Sequence, residues 1–108
     1  MTDVFADLYA IVEQRRRDPQ PGSYTAYLFS EGIDKILKKL GEETSELIIA
    51  AKNGEPVRIV EESCDLLYHL LVMFAECGIP LGDIEAELAR RREKSGNLKP
   101  KHETDKNT

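Results

Sequence analysis

The chain has 108 residues, and 20 acidic residues against 15 basic ones give it a net charge of −5. This length predicts one domain, because domains usually contain about 100 to 150 residues. The acidic balance argues against nucleic acid as a partner, since phosphate binding needs a basic surface. No apolar run approaches about 18 residues, the length of a membrane span, and the first residues lack a secretory signal. We therefore expect a cytoplasmic protein without a membrane partner.

Helical periodicity begins close to the N-terminus. Apolar side chains recur at helical spacing over residues 3–16, which predicts an amphipathic first helix. Two prolines and a glycine within residues 18–22 end it. Ser23 is the expected N-cap of a short second helix through residues 27–29. Gly32 then predicts a bend before the third helix.

Two long helices follow. Residues 33–52 carry one apolar stripe. The segment Asn53-Gly54-Glu55-Pro56 ends this helix and starts the next one. The helix over residues 57–77 is apolar around more than half of its circumference, so it must be buried on several sides. One short chain cannot surround it, and we expect a homodimer or a higher homo-oligomer that completes a helix bundle.

The C-terminal part contributes one more helix. Asp83 is the expected cap of a helix over residues 84–94. Residues 97–108 are polar, which predicts a mobile tail after a single domain of residues 1–96. No strand pattern interrupts the helices. The predicted fold is all-α, a helical bundle built on a central antiparallel helix hairpin and completed by dimerisation.

The two cysteines fit a reducing compartment. Cys64 and Cys77 fall in the same predicted helix, where a rise of about 1.5 Å per residue separates their Cα atoms by roughly 20 Å. A disulfide requires less than about 7 Å. We interpret both as reduced thiols buried in the core.

Acidic residues cluster on both long helices. Glu43 and Glu46 lie one turn apart on the first helix, and Glu62 and Asp65 lie one turn apart on the second. If the helices fold back antiparallel about Gly54, Glu46 faces Glu62 and Glu43 faces Asp65. All four carboxylates then lie at two adjacent levels of one hairpin.

Four carboxylates in one cleft repel each other and raise each other's pKa. A hard divalent cation removes the repulsion, and carboxylate oxygens are the ligands that Mg²⁺ or Mn²⁺ prefers. Because Mg²⁺ is usually held by a few carboxylates together with substrate phosphates, the cluster favours metal-assisted phosphate chemistry. The alternative is a solvated acidic face on a non-catalytic helical dimerisation module, in which Lys38 and Lys39 pair with Glu42 and Glu43 along the helix.

The motif Glu42, Glu43 and Glu46 followed by Glu62 and Asp65 resembles that of the all-α nucleoside-triphosphate pyrophosphohydrolases, the MazG-like group. Four segments in order are similar to the phosphoribosyl-ATP pyrophosphohydrolase family within it. They are residues 23–28, 38–43, 50–53 and 65–72. The likeness extends over residues 1–96.

The resemblance implies Mg²⁺-dependent hydrolysis, with Mn²⁺ as a second choice, of phosphoribosyl-ATP to phosphoribosyl-AMP and pyrophosphate, the second step of histidine biosynthesis. It also implies a homodimer. The metal ligands that it implies are Glu43, Glu46, Glu62 and Asp65. Glu42 would orient water or a second ion, so Glu42 and Glu43 are the expected catalytic residues. The implied substrate contacts are Ser23, Tyr24, Thr25, Lys38, Lys39, Asn53 and His69. A close alternative is a house-cleaning enzyme for ordinary or damaged nucleoside triphosphates.

Overall fold

The computed structural model describes residues 3–93, which form five α-helices joined by short turns. In chain order the helices are α1 (Val4–Arg17), α2 (Tyr24–Glu31), α3 (Ile33–Lys52), α4 (Pro56–Glu76) and α5 (Leu81–Arg92). No strand occurs within residues 3–93, so the all-α prediction is confirmed. The tail predicted for residues 97–108, and residues 94–96 of the predicted domain, lie outside the described residues.

The first helix boundaries follow local signals in the sequence. Asp3 caps α1 and Ser23 caps α2, and each side chain accepts a hydrogen bond from the backbone N–H three residues further on. Gly32 has a φ of 91°, in the left-handed region that glycine adopts without strain, and this turns the chain sharply from α2 into α3. Pro56 begins α4, where its missing N–H costs no helical hydrogen bond.

The start of α5 differs from the prediction. The helix begins at Leu81 after Pro80, and Asp83 lies in its first turn instead of capping it. Pro80 fixes the entry with a φ of −65°, and its carbonyl accepts the backbone N–H of Asp83. Proline has no side-chain oxygen with which to cap a helix, so the sequence predicted the cap at Asp83, the next residue with a carboxylate. The negative charge of Asp83 still stabilises α5, because it lies near the positive N-terminal end of the helix dipole.

Helices α3 and α4 form the antiparallel hairpin, with α1 and α2 packed against the end remote from its turn. The largest fully buried side chains come from all four helices and meet at this covered end. They are Val12 of α1, Leu28 of α2, Ile36 of α3 and Val72 of α4. α5 contributes Leu81 to the edge of this core and has no buried residue of its own.

The other end of the hairpin, next to Gly54, carries apolar side chains that nothing in residues 3–93 covers. Ile48 is 63% exposed and Val60 is 63% exposed. Ile49 and Val57 beside them are also more than half exposed. Apart from Ala50, which is fully buried near the end of α3, the buried apolar side chains of α3 and α4 therefore lie at the covered end. Completion of the bundle by a second copy stays a prediction.

The cysteines lie on the surface of this chain. Both Cys64 and Cys77 are free and exposed, so the prediction that they belong to the core is wrong. Cys64 lies on the uncovered part of α4, and Cys77 follows the last turn of that helix. Within residues 3–93 no single helix combines the length and the apolar composition of a membrane span; α4 and α5 do so only together, across a bend of 114°.

Candidate active site

Three carboxylates from two helices meet on the hairpin. Glu43 comes from α3, and Glu62 and Asp65 come from α4. One carboxylate oxygen of each lies within 4.8 Å of an oxygen of the other two. The two α4 residues are one helical turn apart, and the antiparallel fold about Gly54 brings α3 to their level. We call Glu43, Glu62 and Asp65 the acidic cluster.

Two members of the acidic cluster are largely buried. Glu43 is 9% exposed, and the Glu62 side chain is 12% exposed. The Oε2 atom of each is buried and has no hydrogen-bond partner within residues 3–93. Burial, followed by the negative charge of Asp65, raises the pKa of the Glu43 carboxyl. Because an unpartnered buried oxygen is costly, a cation that binds both oxygens would remove that cost.

Glu46 borders the acidic cluster instead of joining it. Its side chain is exposed, and its pKa is raised first by a hydrogen bond with Glu62 and then by the charge of Glu43. The same hydrogen bond lowers the pKa of Glu62, and Arg58 adds to this by donating from Nη2 to Oε1 at 3.2 Å. Arg58 was not singled out from the sequence, although its spacing of four from Glu62 was the available signal.

Lys39 and Glu42 pair with each other beside the cluster. The Lys39 Nζ atom lies 3.3 Å from Oε1 of Glu42, and the hydrogen bond between them raises the pKa of Lys39. Glu42 is exposed and lies outside the group of three carboxylates, so the structure does not bring this expected catalytic residue into the cluster. For Glu42 the geometry is that of an ordinary surface pair. Lys38 is exposed.

His69 is buried at 5% exposure, and both of its ring nitrogens are bonded. Nδ1 lies 2.7 Å from the backbone carbonyl oxygen of Asp65, and Nε2 lies 2.9 Å from the hydroxyl of Tyr24. A carbonyl can only accept, so Nδ1 carries a proton, and in the neutral imidazole Nε2 accepts from the Tyr24 O–H. Burial raises the pKa of Tyr24, which keeps that hydroxyl protonated. His69 thereby connects the start of α2 to the turn of α4 that carries Glu62 and Asp65.

Ser23, Thr25 and Asn53, the other expected substrate contacts, lie in three different surroundings. The Ser23 hydroxyl is engaged as the cap of α2, 3.2 Å from the backbone nitrogen of Ala26. Thr25 is buried at 6% exposure. Asn53 follows the last residue of α3, about 15 Å along the helix axis from Glu43 at about 1.5 Å per residue. Asn53 is therefore not brought to the acidic cluster.

Relatives with known names match nearly the whole chain. The family model for phosphoribosyl-ATP pyrophosphohydrolase matches residues 5–92. A phosphoribosyl-ATP pyrophosphatase from Clostridium botulinum is 51% identical over 102 residues, which cover 94% of this chain and 93% of the relative. The phosphoribosyl-ATP pyrophosphatase from Pelotomaculum thermopropionicum is 54% identical, and the match covers 85% of this chain and 94% of the relative. The one from Bacillus cereus is 48% identical, and the match covers 97% of this chain and 98% of the relative. The chain belongs to the phosphoribosyl-ATP pyrophosphohydrolase family.

Proposed function

We propose that this chain hydrolyses phosphoribosyl-ATP to phosphoribosyl-AMP and pyrophosphate, as the second step of histidine biosynthesis. The observation that carries the proposal is the acidic cluster, with two buried carboxylate oxygens that find no hydrogen-bond partner in the described part of the chain. Membership of the family supplies the substrate, since relatives about half identical to this chain are named for that reaction. A merely solvated acidic face would not bury Glu43 to this degree.

Glu43, Glu62 and Asp65 fit a divalent cation. Their oxygens are the hard ligands that Mg²⁺ and Mn²⁺ prefer, and three carboxylates leave coordination positions for water and phosphate oxygens. The unpartnered Oε2 atoms of Glu43 and Glu62 are already removed from water, so a cation would gain them at little further desolvation cost. Bound there, Mg²⁺ would neutralise phosphate charge and lower the pKa of a water molecule.

The remaining side chains supply proton transfer and phosphate binding. Glu46 is exposed at the edge of the cluster, and its raised pKa suits a group that accepts a proton from water. Lys39 has a raised pKa and stays charged, so its ammonium group can donate hydrogen bonds to phosphate oxygens. Glu42 holds Lys39 in place, and Lys38 offers a second cation on the same helix.

We infer that the active form is a cytoplasmic homodimer. The exposed apolar side chains at the turn end of the hairpin, above all Ile48 and Val60, support this inference, because such surfaces mark contacts with other chains. The substrate is a polyanion that crosses an apolar bilayer only at high cost, which supports a cytoplasmic location. Sedimentation of the purified chain over a range of concentrations tests the dimer, and a chain that stays monomeric throughout would overturn it.

Pyrophosphate release tests the proposed reaction. Phosphoribosyl-ATP, ATP and dCTP are each incubated with the protein in Mg²⁺ and in EDTA. We expect rapid release from phosphoribosyl-ATP in Mg²⁺ and none in EDTA. Release from the ordinary triphosphates instead would retain the metal site and change the substrate. No release by folded protein would overturn the enzyme proposal and leave a non-catalytic helical module.

A further inference from the structure

A single hydrogen-bonded link connects α2 to α4. Tyr24, the first residue of α2, bonds to His69, which bonds in turn to the carbonyl of Asp65. Within residues 3–93 this is the only side-chain hydrogen bond that joins α2 to another helix. Apolar packing around Leu28 holds the rest of α2, and such packing does not fix direction as a hydrogen bond does. The orientation of the first turn of α2 therefore depends on this link.

The imidazole of His69 has no free polar atom to offer a nucleotide. Both ring nitrogens are bonded within the protein. The rings of Tyr24 and Tyr68 meet it edge-on, with centroids at 5.7 and 5.8 Å and interplanar angles of 76° and 89°. The sequence-based expectation that His69 contacts substrate is therefore replaced by a role through Tyr24.

We propose that His69 is a positioning residue, which holds the start of α2 at a fixed place beside the turn of α4 that carries Glu62 and Asp65. This proposal rests on the proposed function, because its test measures the hydrolysis of phosphoribosyl-ATP. The start of α2 is where the family resemblance places substrate contacts, and the turn of α4 is where the cation would bind. A link between them orders the site before the substrate arrives, which lowers the ordering cost of binding.

A double-mutant cycle tests the link directly. Tyr24→Phe removes the hydroxyl and keeps the ring. His69→Asn keeps an N–H for the Asp65 carbonyl, but its shorter side chain places no acceptor at the position of Nε2, where the Tyr24 hydroxyl donates. We expect each variant to lower kcat/KM for phosphoribosyl-ATP about 3- to 10-fold, mainly through KM, from the worth of one hydrogen bond. The double variant should be no worse than either single variant, because both changes remove the same link.

Tyr27→Phe is the matched control. The Tyr27 side chain is 46% exposed against 45% for Tyr24, and its ring stacks on that of Tyr24 with centroids 6.3 Å apart. Its hydroxyl has no hydrogen-bond partner in the described part of the chain. We expect this variant to keep the wild-type KM. In His69→Gln the amide oxygen can accept from Tyr24, so the KM of this variant should lie between those of the wild type and His69→Asn.

Several outcomes would overturn the proposal. Partial unfolding lowers kcat by reducing the active fraction and leaves KM unchanged, so an effect on kcat alone would indicate a structural role. Additive effects of Tyr24→Phe and His69→Asn would also contradict a shared link. If the wild-type chain cleaves another nucleoside triphosphate instead, the proposed substrate fails, and the same cycle on that triphosphate still decides the role of His69. The Kd of the nucleotide, measured by calorimetry in parallel, decides it without turnover.

Discussion

The two ends of the α3–α4 hairpin have similar apolar side chains and opposite surroundings. At the covered end, Ile36 and Val72 are fully buried beneath α1 and α2. At the turn end, Ile48 and Val60 are each 63% exposed. Periodicity thus selects which face of a helix is apolar, while the surrounding helices determine how much of that face is buried.

The acidic cluster lies between these two ends. Glu43 follows the covered first turns of α3, and Asp65 precedes the covered last turns of α4. The cluster is therefore half-enclosed: Glu43 is buried, whereas Asp65 is exposed and open to solvent. Such a place suits a cation that must be desolvated on one side and remain open to phosphate and water on the other.

The largest expected effect is on the chemistry at this boundary. Glu43→Gln removes the most buried carboxylate of the acidic cluster while preserving its shape. We expect kcat to fall about 10²- to 10³-fold, because metal stabilisation of several kcal/mol is lost and about 1.36 kcal/mol corresponds to a factor of ten. Steady-state assays in saturating Mg²⁺, with circular dichroism to verify helicity, measure it.

Glu61→Gln is the matched control for that substitution. Glu61 precedes Glu62 in α4, but it is exposed and lies outside the acidic cluster. The chemical change is the same and the position is solvated, so turnover should stay at the wild-type rate. Equal losses in the two variants would mean that the surface charge of the chain, and not the cluster, governs turnover.

Two valines on α4 test the difference between the two ends of the hairpin. Val72 is fully buried at the covered end, and Val60 is 63% exposed at the turn end. We expect Val72→Ala to lower the free energy of unfolding by about 2 kcal/mol, for two buried methyl groups and a cavity. Val60→Ala should change it by less than about 0.5 kcal/mol in the dissociated chain.

Protein concentration sharpens this test. If a second copy covers the turn end, the stability lost in Val60→Ala should grow as urea denaturation is repeated at higher protein concentration, because dimerisation adds to stability. The loss in Val72→Ala should not depend on concentration in the same way. If the stability lost in Val60→Ala did not change with protein concentration, the turn end would not be covered by a second copy.

The next effect concerns stability without metal. The raised pKa of Glu43 means that the folded chain binds the proton of this carboxyl more tightly than the unfolded chain does. The resulting stability is present below the ordinary pKa of 4.5 and is lost as pH rises through the folded pKa. In EDTA at pH 7, Glu43→Gln should therefore melt at a higher temperature than the wild type. The difference should vanish towards pH 4, where the native carboxyl is also neutral.

Glu62→Gln should have the opposite sign. The pKa of Glu62 is lowered, so its ionised form contributes stability above 4.5, and that contribution is lost as pH falls. At pH 7 this variant should melt below the wild type. Added Mg²⁺ should raise the melting temperature of the wild type more than that of either variant. If the melting temperatures of both variants shifted in the same direction in EDTA, the pKa values of Glu43 and Glu62 would not be shifted in opposite directions as their surroundings indicate.

The sequence predicted the hairpin well because its signals are local. The apolar stripe and the Gly54 turn predicted α3 over residues 33–52, where it is found. Spacing within each helix, together with an antiparallel fold, placed Glu43 opposite Asp65. Neither step needs knowledge of how the other helices pack.

Other features depend on packing and were missed. The bond between Tyr24 and His69 joins residues 45 positions apart and requires the angle at which α2 crosses the hairpin. The exposure of Cys64 depends on where α1 and α2 end their cover of α4. The start of α5 at Leu81 follows Pro80, which gives no side-chain signal for a cap. Helix crossing angles and cover are tertiary properties, so periodicity alone could not predict these features.

The cap of α2 tests what holds this helix over the hairpin. Ser23→Ala removes the cap of α2, and we expect a loss of about 1 kcal/mol in the free energy of unfolding, measured with urea. Ser30→Ala is the control, because that hydroxyl donates to a carbonyl three residues back in the same helix, and alanine favours a helix at least as well. A loss in Ser23→Ala alone would mean that local capping maintains the cover. Equal stabilities would mean that apolar packing around Leu28 suffices, and the Tyr24–His69 link would then be the one side-chain hydrogen bond within residues 3–93 that directs α2.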